Sequence, residues 1–444
     1  YAVDRYDDDP RYDLKGGNLY LNGSWASSIR HHNGKFYVAF CTPYGWGTEK
    51  GHFSVCEAEK PEGPWKRTVF PEYLYDPGLL FDDDGKVYVV HGQHKLYVTE
   101  LNADVRSVKG KPVEIWNKGV DDSRGSGKKA GMEGSHVYKI NGMYYITCPA
   151  GGTEGWQVCL RSKNIYGPYE HKVILQDDSS YPPNGLHQGG MVQLKNGDWW
   201  FVIMQDRGPI GRVPHLLPVR WVDGWPVLGV NGKDAITYRK PEVGKTYKVK
   251  TPATTDEFSG KKLGLQWQWN HNPDHTKWSL SERPGHMCLK ASQASDLKSA
   301  RNTLTQRVQG PNSEGTVEID LSGLKDGNVA GFGVFEFPYA YVAVQQEGDV
   351  RKVVMCNDGK IVETAVNNLT QNKIWIKTRV TDKDFTARFY YSLDGVDFSP
   401  VGDVLKMGLG LPWTANRFAL FNFTTREAGV DGIADFNWFR FNGK

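Results

Sequence analysis

The feature that most constrains this chain is a hairpin that recurs four times. Met132 to Ile146 reads as a strand, a two-residue Asn141-Gly142 turn and a second strand, with Glu133 at the mouth of the first. The stretches Trp25 to Tyr37, Asp76 to Tyr88 and Gly190 to Trp200 follow the same scheme. Their turn glycines, Gly34, Gly85, Gly142 and Gly197, recur at intervals of 51, 57 and 55 residues, which suits one four-stranded propeller blade per unit. Trp25, Asp76 and Glu133 each stand nine residues before their turn glycine, and His187 and Gln188 stand ten and nine before Gly197. If these strands are the innermost of each blade, an aromatic ring, two carboxylates and a histidine converge at one end of a common axis. Taken singly, Asp76-Pro77 also reads as a turn opener and Glu133 as a solvated edge residue.

With 444 residues, two domains are expected. Short strands separated by Gly, Pro, Asn and Asp run from Trp25 to about Val230, and Glu62-Gly63-Pro64-Trp65 and Tyr166-Gly167-Pro168-Tyr169 repeat as outer-strand echoes. The pattern breaks near Arg239 to Gly244, so residues 1–245 are read as the propeller, 246–255 as a linker and 256–444 as a second β-rich domain. Its alternating strands include Gly315 to Asp320, Tyr341 to Val344, Ile374 to Lys377 and Phe436 to Phe441, which suggest a sandwich. Residues 1–24 carry an acidic, loop-like run, Asp4 to Pro10, and read as the connection that leaves one blade for the next.

Net charge is +3 with no long basic run, and no stretch approaches a membrane span; neither nucleic acid nor membrane is expected as a partner. The 15 Trp, 22 Tyr and 19 Phe leave rings available to stack on sugars, although most are expected to fill β-rich cores. The six cysteines read as small buried residues, with a Cys148–Cys159 bridge left open. Arg124 to Lys129 lacks the glycine and hydroxyl spacing of a phosphate loop, and Asp82-Asp83-Asp84-Gly85 lacks the spaced ligands of a calcium loop.

Together these residues resemble glycoside hydrolase family 43, in the branch of β-xylosidases and α-L-arabinofuranosidases with a C-terminal sandwich. The resemblance spans effectively the whole chain. It is carried by Trp25-Ala26-Ser27-Ser28-Ile29-Arg30, Asp76 to Gly85, Glu133-Gly134-Ser135-His136, His187-Gln188-Gly189-Gly190 and Gly211-Arg212. In the second domain it is carried by Gly264 to Pro273 and Asn302 to Arg307. It implies an all-β chain, a five-bladed β-propeller followed by a concanavalin-like jelly roll, with the first blade incomplete and roughly forty preceding residues missing.

The same resemblance implies inverting hydrolysis by three carboxylates. Glu133 matches the general acid, and Asp76 the residue that orients that acid and tunes its pKa. The family's general base is an Asp near the start of the first blade. Asp9-Pro10 is similar to that stretch but lies in the connection to the next blade, so no base is assigned. Inversion needs a protonated carboxyl for the leaving oxygen and a carboxylate about 6.5–9.5 Å away to activate water on the other face. Trp25 is expected to form a stacking wall for a pentose, and Arg212 to hydrogen-bond sugar hydroxyls. His187 is placed near the axis, where the family often holds a calcium ion; the chemistry itself requires no cofactor. Phe335, Glu336, Phe337 and Tyr339 are read either as a loop over the pocket mouth or as core.

The function expected is an exo-acting hydrolase that releases xylose, arabinofuranose or both from xylan- or arabinan-derived oligosaccharides. A non-catalytic carbohydrate-binding propeller and an endo-arabinanase are the alternatives.

Overall fold

Alternation of side chains across each strand sets the architecture. The computed structural model describes residues 2–45, 50–121, 129–235, 237–248, 250–408 and 414–443. Among these the chain is all-β, and helical structure is confined to four 3-10 turns of three or four residues. By its contacts it divides into two compact units. Tyr1–Tyr6, Leu19–Asp206 and Val213–Tyr247 form the first; Asp7–Asn18, Arg207–Arg212 and Lys248–Lys444 form the second.

The first unit holds four antiparallel four-stranded sheets in a propeller-like arrangement. Blade one is Trp25–His32, Lys35–Pro43, Gly51–Ala58 and Lys66–Phe70, and blade two is Gly78–Phe81, Val87–His91, Leu96–Leu101 and Val108–Trp116. Blade three is His136–Ile140, Met143–Ala150, Trp156–Ser162 and Glu170–Leu175; blade four is Leu186–Gln193, Trp199–Asp206, Arg212–Val222 and Trp225–Leu228. Successive residues of one strand enter different cores. Leu79 and Val89 pack with Tyr37, Phe53 and Val55 of blade one, whereas Leu80 and Val90 pack with Val137, Ile146 and Val158 of blade three. A third such core joins blades three and four through Ile174, Leu186, Phe201 and Leu217. Each fully buried aliphatic side chain contributes about 1.5–3 kcal/mol, so the cores between blades hold the sheets in place.

Turn chemistry corrects the equivalence drawn from the glycine count. Asn33-Gly34 and Asn141-Gly142 are two-residue turns with φ of +48° and +77°, and +51° and +75°, as the right-handed strand twist demands. In blades two and four the ladder runs one pair further, through Asp82 N–H to Lys86 O at 2.9 Å and Leu194 N–H to Asp198 O at 2.8 Å. Gly85 and Gly197 are therefore the third residue of their turns, and the count slips by one. The true equivalents are marked by a left-handed residue at the head of each blade: Ala26, Asp76, Gly134 and Gln188, with φ from +45° to +58°. One position earlier stand Trp25, Tyr75, Glu133 and His187. Asp76 is thus equivalent to Gly134, and Tyr75 to Glu133.

An ion-pair cluster bridges blades two and three. Asp82, 5% exposed, accepts Lys139 Nζ at 2.5 Å on one oxygen and Tyr144 O–H at 2.5 Å on the other. Removing Asp82 leaves Lys139 with the exposed Asp83, 3.3 Å away, and takes the acceptor from the buried Tyr144 O–H, at a cost of about 3 kcal/mol. Asp82→Ala is expected to lower the propeller's unfolding temperature accordingly in calorimetry; a change within about 0.5 kcal/mol, as for an ordinary surface site, would contradict this.

In the second unit two eight-stranded sheets form a β-sandwich. The four strands expected from alternation lie within Asn312–Asp320, Ala340–Glu347, Lys373–Thr381 and Ile433–Gly443. Their inward residues, among them Val317, Ile319, Val342, Ile376 and Phe436, share one core with Phe332, Phe418 and Phe439. Phe335, Glu336 and Tyr339 are at most 1% exposed and Phe337 is half-buried. The acidic run near the N-terminus holds no strand among the described residues and is tied down by polar contacts. Asp9 caps the turn Pro10–Asp13 and binds the Arg11 guanidinium at 2.7 Å, while Asp13 accepts from Arg301 at 2.9 Å and from Asn272 Nδ2 at 3.1 Å. All six cysteines are free and buried, so the Cys148–Cys159 bridge is not made. Arg124 to Lys128, rejected above as a phosphate loop, lie outside the described residues.

Candidate active site

The heads of blades two and three meet at Asp76 and Glu133. Asp76 sits at φ +50°, a conformation that turns its 4%-exposed carboxylate along the next blade. Its Oδ2 accepts the Gly134 N–H at 3.0 Å, one residue beyond Glu133, and its own N–H donates to Cys41 Sγ at 3.4 Å. Gly134, at φ +58°, also leaves room for its neighbour: an added Cβ would lie 2.8 Å from Gln188 Nε2. Gly78 is required for a different reason: an added Cβ would lie 2.3 Å from the Ser135 carbonyl oxygen. The Asp76-Pro77-Gly78 run is thereby pressed against the strand that follows Glu133.

Glu133 is half-buried. Among the described residues both of its side-chain hydrogen bonds fall on Oε2, from Gln93 Nε2 at 2.7 Å and Tyr75 O–H at 3.3 Å. Burial, then the charges of Asp76 and Glu133, push the Tyr75 phenol far above its ordinary value, so it stays a donor. Burial likewise pushes the Cys148 thiol up to about 12, with Asp76 and Glu133 adding to the shift. The raised thiols at the site are packing groups.

Trp25 heads blade one. Its indole N–H is held by the Leu21 carbonyl at 2.9 Å, and its own carbonyl faces Cys41 Sγ at 4.0 Å. Cys41 thus links Trp25 to Asp76. His187 heads blade four, 4% exposed; its Nδ1 donates to Gly185 O at 2.9 Å and its Nε2 lies 3.5 Å from Asp206 Oδ2. Arg212 is half-buried, opens the strand Arg212–Val222 after the turn Gly208–Ile210, and sorts with the second unit. The structure brings Asp76 and Glu133 into one cluster and places Trp25 and His187 at matching blade positions. Tyr75 and Gln93 were missed from sequence; a count corrected for turn length would have found Tyr75, while Gln93 lies in a loop that carries no repeat signal.

Calcium takes six to eight oxygen ligands. Among the described residues no group of three or more His, Cys, Asp or Glu side chains is arranged to hold a metal, and His187 with Asp206 supplies one nitrogen and one carboxylate. A calcium ion there would take most of its ligands from water, and no chemical step is routed through a metal.

The arrangement can do one thing readily: a carboxyl with one oxygen tied down and a second carboxylate beside its backbone can deliver a proton to a bound oxygen. Comparison with known proteins identifies the family. Residues 5–226 match the model for glycosyl hydrolases family 43, and residues 255–442 match the beta-xylosidase C-terminal concanavalin A-like domain. The chain is 35% identical over 417 residues to a putative beta-xylosidase of Xylanibacter ruminicola, covering 88% of this chain and 72% of that protein. It is 34% identical to a non-reducing end alpha-L-arabinofuranosidase of Bacteroides ovatus, over 66% of this chain and 56% of that one. A solved structure of a bifunctional GH43-CE protein from Bacteroides eggerthii superposes with a TM-score of 0.87 at 36% identity, covering all of this chain and 57% of the other. The chain belongs to glycoside hydrolase family 43 and carries that family's β-xylosidase-type C-terminal concanavalin-like domain.

Proposed function

We propose that this chain is an inverting exo-glycoside hydrolase that releases xylose, arabinofuranose or both from xylan- or arabinan-derived oligosaccharides. The observation that carries the reading is the meeting of Asp76 and Glu133, with Asp76 Oδ2 gripping the Gly134 N–H. Glu133 hands its proton to the glycosidic oxygen as the bond from that oxygen to the anomeric carbon breaks. Water adds from the opposite face, losing its proton to a base. Asp9 is a poor choice for that base because Arg11 already holds it. Asp76 orients the acid through the backbone. Trp25 supplies an apolar wall for the pentose. Residues 1–245 serve as the catalytic domain and 256–444 as the accessory sandwich, joined by 246–255.

The propeller is proposed to have five blades. Ile29 on the first strand of blade one is 58% exposed, and Val192, Val202 and Leu216 on blade four are 47%, 50% and 42% exposed. Apolar side chains standing open on the first and last sheets are what a further blade, contributed by chain outside these residues, would cover.

Proton NMR of the sugars formed from xylobiose and from arabino-oligosaccharides tests the activity. Xylose should appear first as the α anomer, one unit at a time. First appearance of β-xylose, or of α-arabinofuranose from the α-linked arabino-oligosaccharides, contradicts inversion; binding without turnover points to a carbohydrate-binding propeller, and mid-chain products from linear arabinan point to an endo-arabinanase.

A further inference from the structure

The loop Gly92 to Lys95 joins the second and third strands of blade two and is braced against the site from both sides. Gly92 N–H donates to Tyr75 O at 2.8 Å, His94 N–H donates to Met132 O at 2.9 Å, and Lys95 N–H closes on Gln93 O at 2.7 Å. The first two bonds tie the loop to the residues immediately before Asp76 and Glu133. Gly131 comes so close that an added Cβ would lie 1.9 Å from His94 Nδ1. Gln93, at the centre of this brace, is exposed, so burial does not explain where its side chain goes. Its amide nitrogen donates to Glu133 Oε2 at 2.7 Å, well inside the 3.3 Å of the Tyr75 bond to the same oxygen.

We infer that Gln93, seconded by Tyr75, is a positioning residue that reserves Oε2 of Glu133 as an acceptor and so assigns the transferable proton to Oε1. The Gln93 amide N–H can only donate toward Oε2, so a proton on that oxygen would face it at 2.7 Å; the Tyr75 hydroxyl, which can donate or accept, adds a second donor while Oε2 is bare. The Oε1–H bond is then the one that breaks: its proton passes to the glycosidic oxygen, which also receives the electron pair of the cleaved bond, and Glu133 is left as a carboxylate. The two bonds also fix the carboxyl's rotation, and misplacing a catalytic group by about 1 Å costs on the order of a hundredfold in rate.

The inference rests on the reading of Glu133 as the acid, and a leaving-group series separates the two. Gln93→Leu should lower kcat/KM on xylobiose by about tenfold to a hundredfold, while a 2,4-dinitrophenyl xyloside, which needs little protonation, changes by less than about threefold. Tyr75→Phe should show the same split to a smaller degree. A crystal structure of Gln93→Leu, which requires no turnover, should show the Glu133 carboxyl in more than one rotamer. Equal losses on both substrates, or an unmoved Glu133 with unchanged kinetics, would overturn the inference. If Glu133→Gln itself shows no leaving-group split, the acid assignment fails instead.

Discussion

Glu133→Gln is expected to lower kcat on xylobiose by about a hundredfold to ten-thousandfold, the usual contribution of a positioned acid. The fold should survive. The substituted amide is the same size, and it can turn its carbonyl oxygen toward Gln93 Nε2 and Tyr75 O–H, keeping both bonds that now end on Oε2. What it cannot do is give up a proton. A 2,4-dinitrophenyl glycoside, whose leaving group departs as a stable anion, should therefore lose far less than xylobiose. Steady-state kinetics on the two substrates measure this directly, and full turnover of xylobiose by the variant would remove Glu133 from the mechanism.

Asp76 is expected to show a different signature, because it joins a charge to a structural bond. Asp76→Asn keeps a side-chain oxygen for the Gly134 N–H and tolerates φ +50°, as asparagine does more readily than most residues. Only the charge is lost, and turnover of xylobiose should fall by about a hundredfold with little change in unfolding temperature. Asp76→Ala removes the acceptor as well, leaves a buried N–H unpaired, and forces alanine into a left-handed conformation. It should add a destabilisation of about 1–3 kcal/mol. Kinetics and thermal unfolding of both variants check the separation; wild-type activity in Asp76→Asn would show that the charge has no part in the chemistry.

The repeat was legible because Asn33-Gly34 and Asn141-Gly142 are turn dipeptides with a required backbone conformation, flanked by alternating apolar residues. The sandwich strands were legible for the same reason, as Lys373–Thr381 shows with its regular change between buried and open positions. The equivalence of positions was misread by one residue, since a three-residue turn at Gly85 looks like a two-residue turn when only the glycine is counted. That slip paired Asp76 with Glu133 and hid Tyr75. Gln93 was invisible for a deeper reason: its role comes from backbone bonds that reach Tyr75 and Met132, and no local pattern announces a contact made 40 residues away in sequence. The partners of Asp13, Arg301 and Asn272, were likewise invisible, because they lie more than 250 residues away in sequence.

The most direct test is a crystal structure of the Glu133→Gln protein with xylobiose bound. The glycosidic oxygen should lie about 3 Å from the side-chain amide at position 133, with Trp25 against a pentose ring. A sugar seated elsewhere, or a glycosidic oxygen more than about 6 Å from that side chain, would contradict the account, because no proton could pass across such a gap.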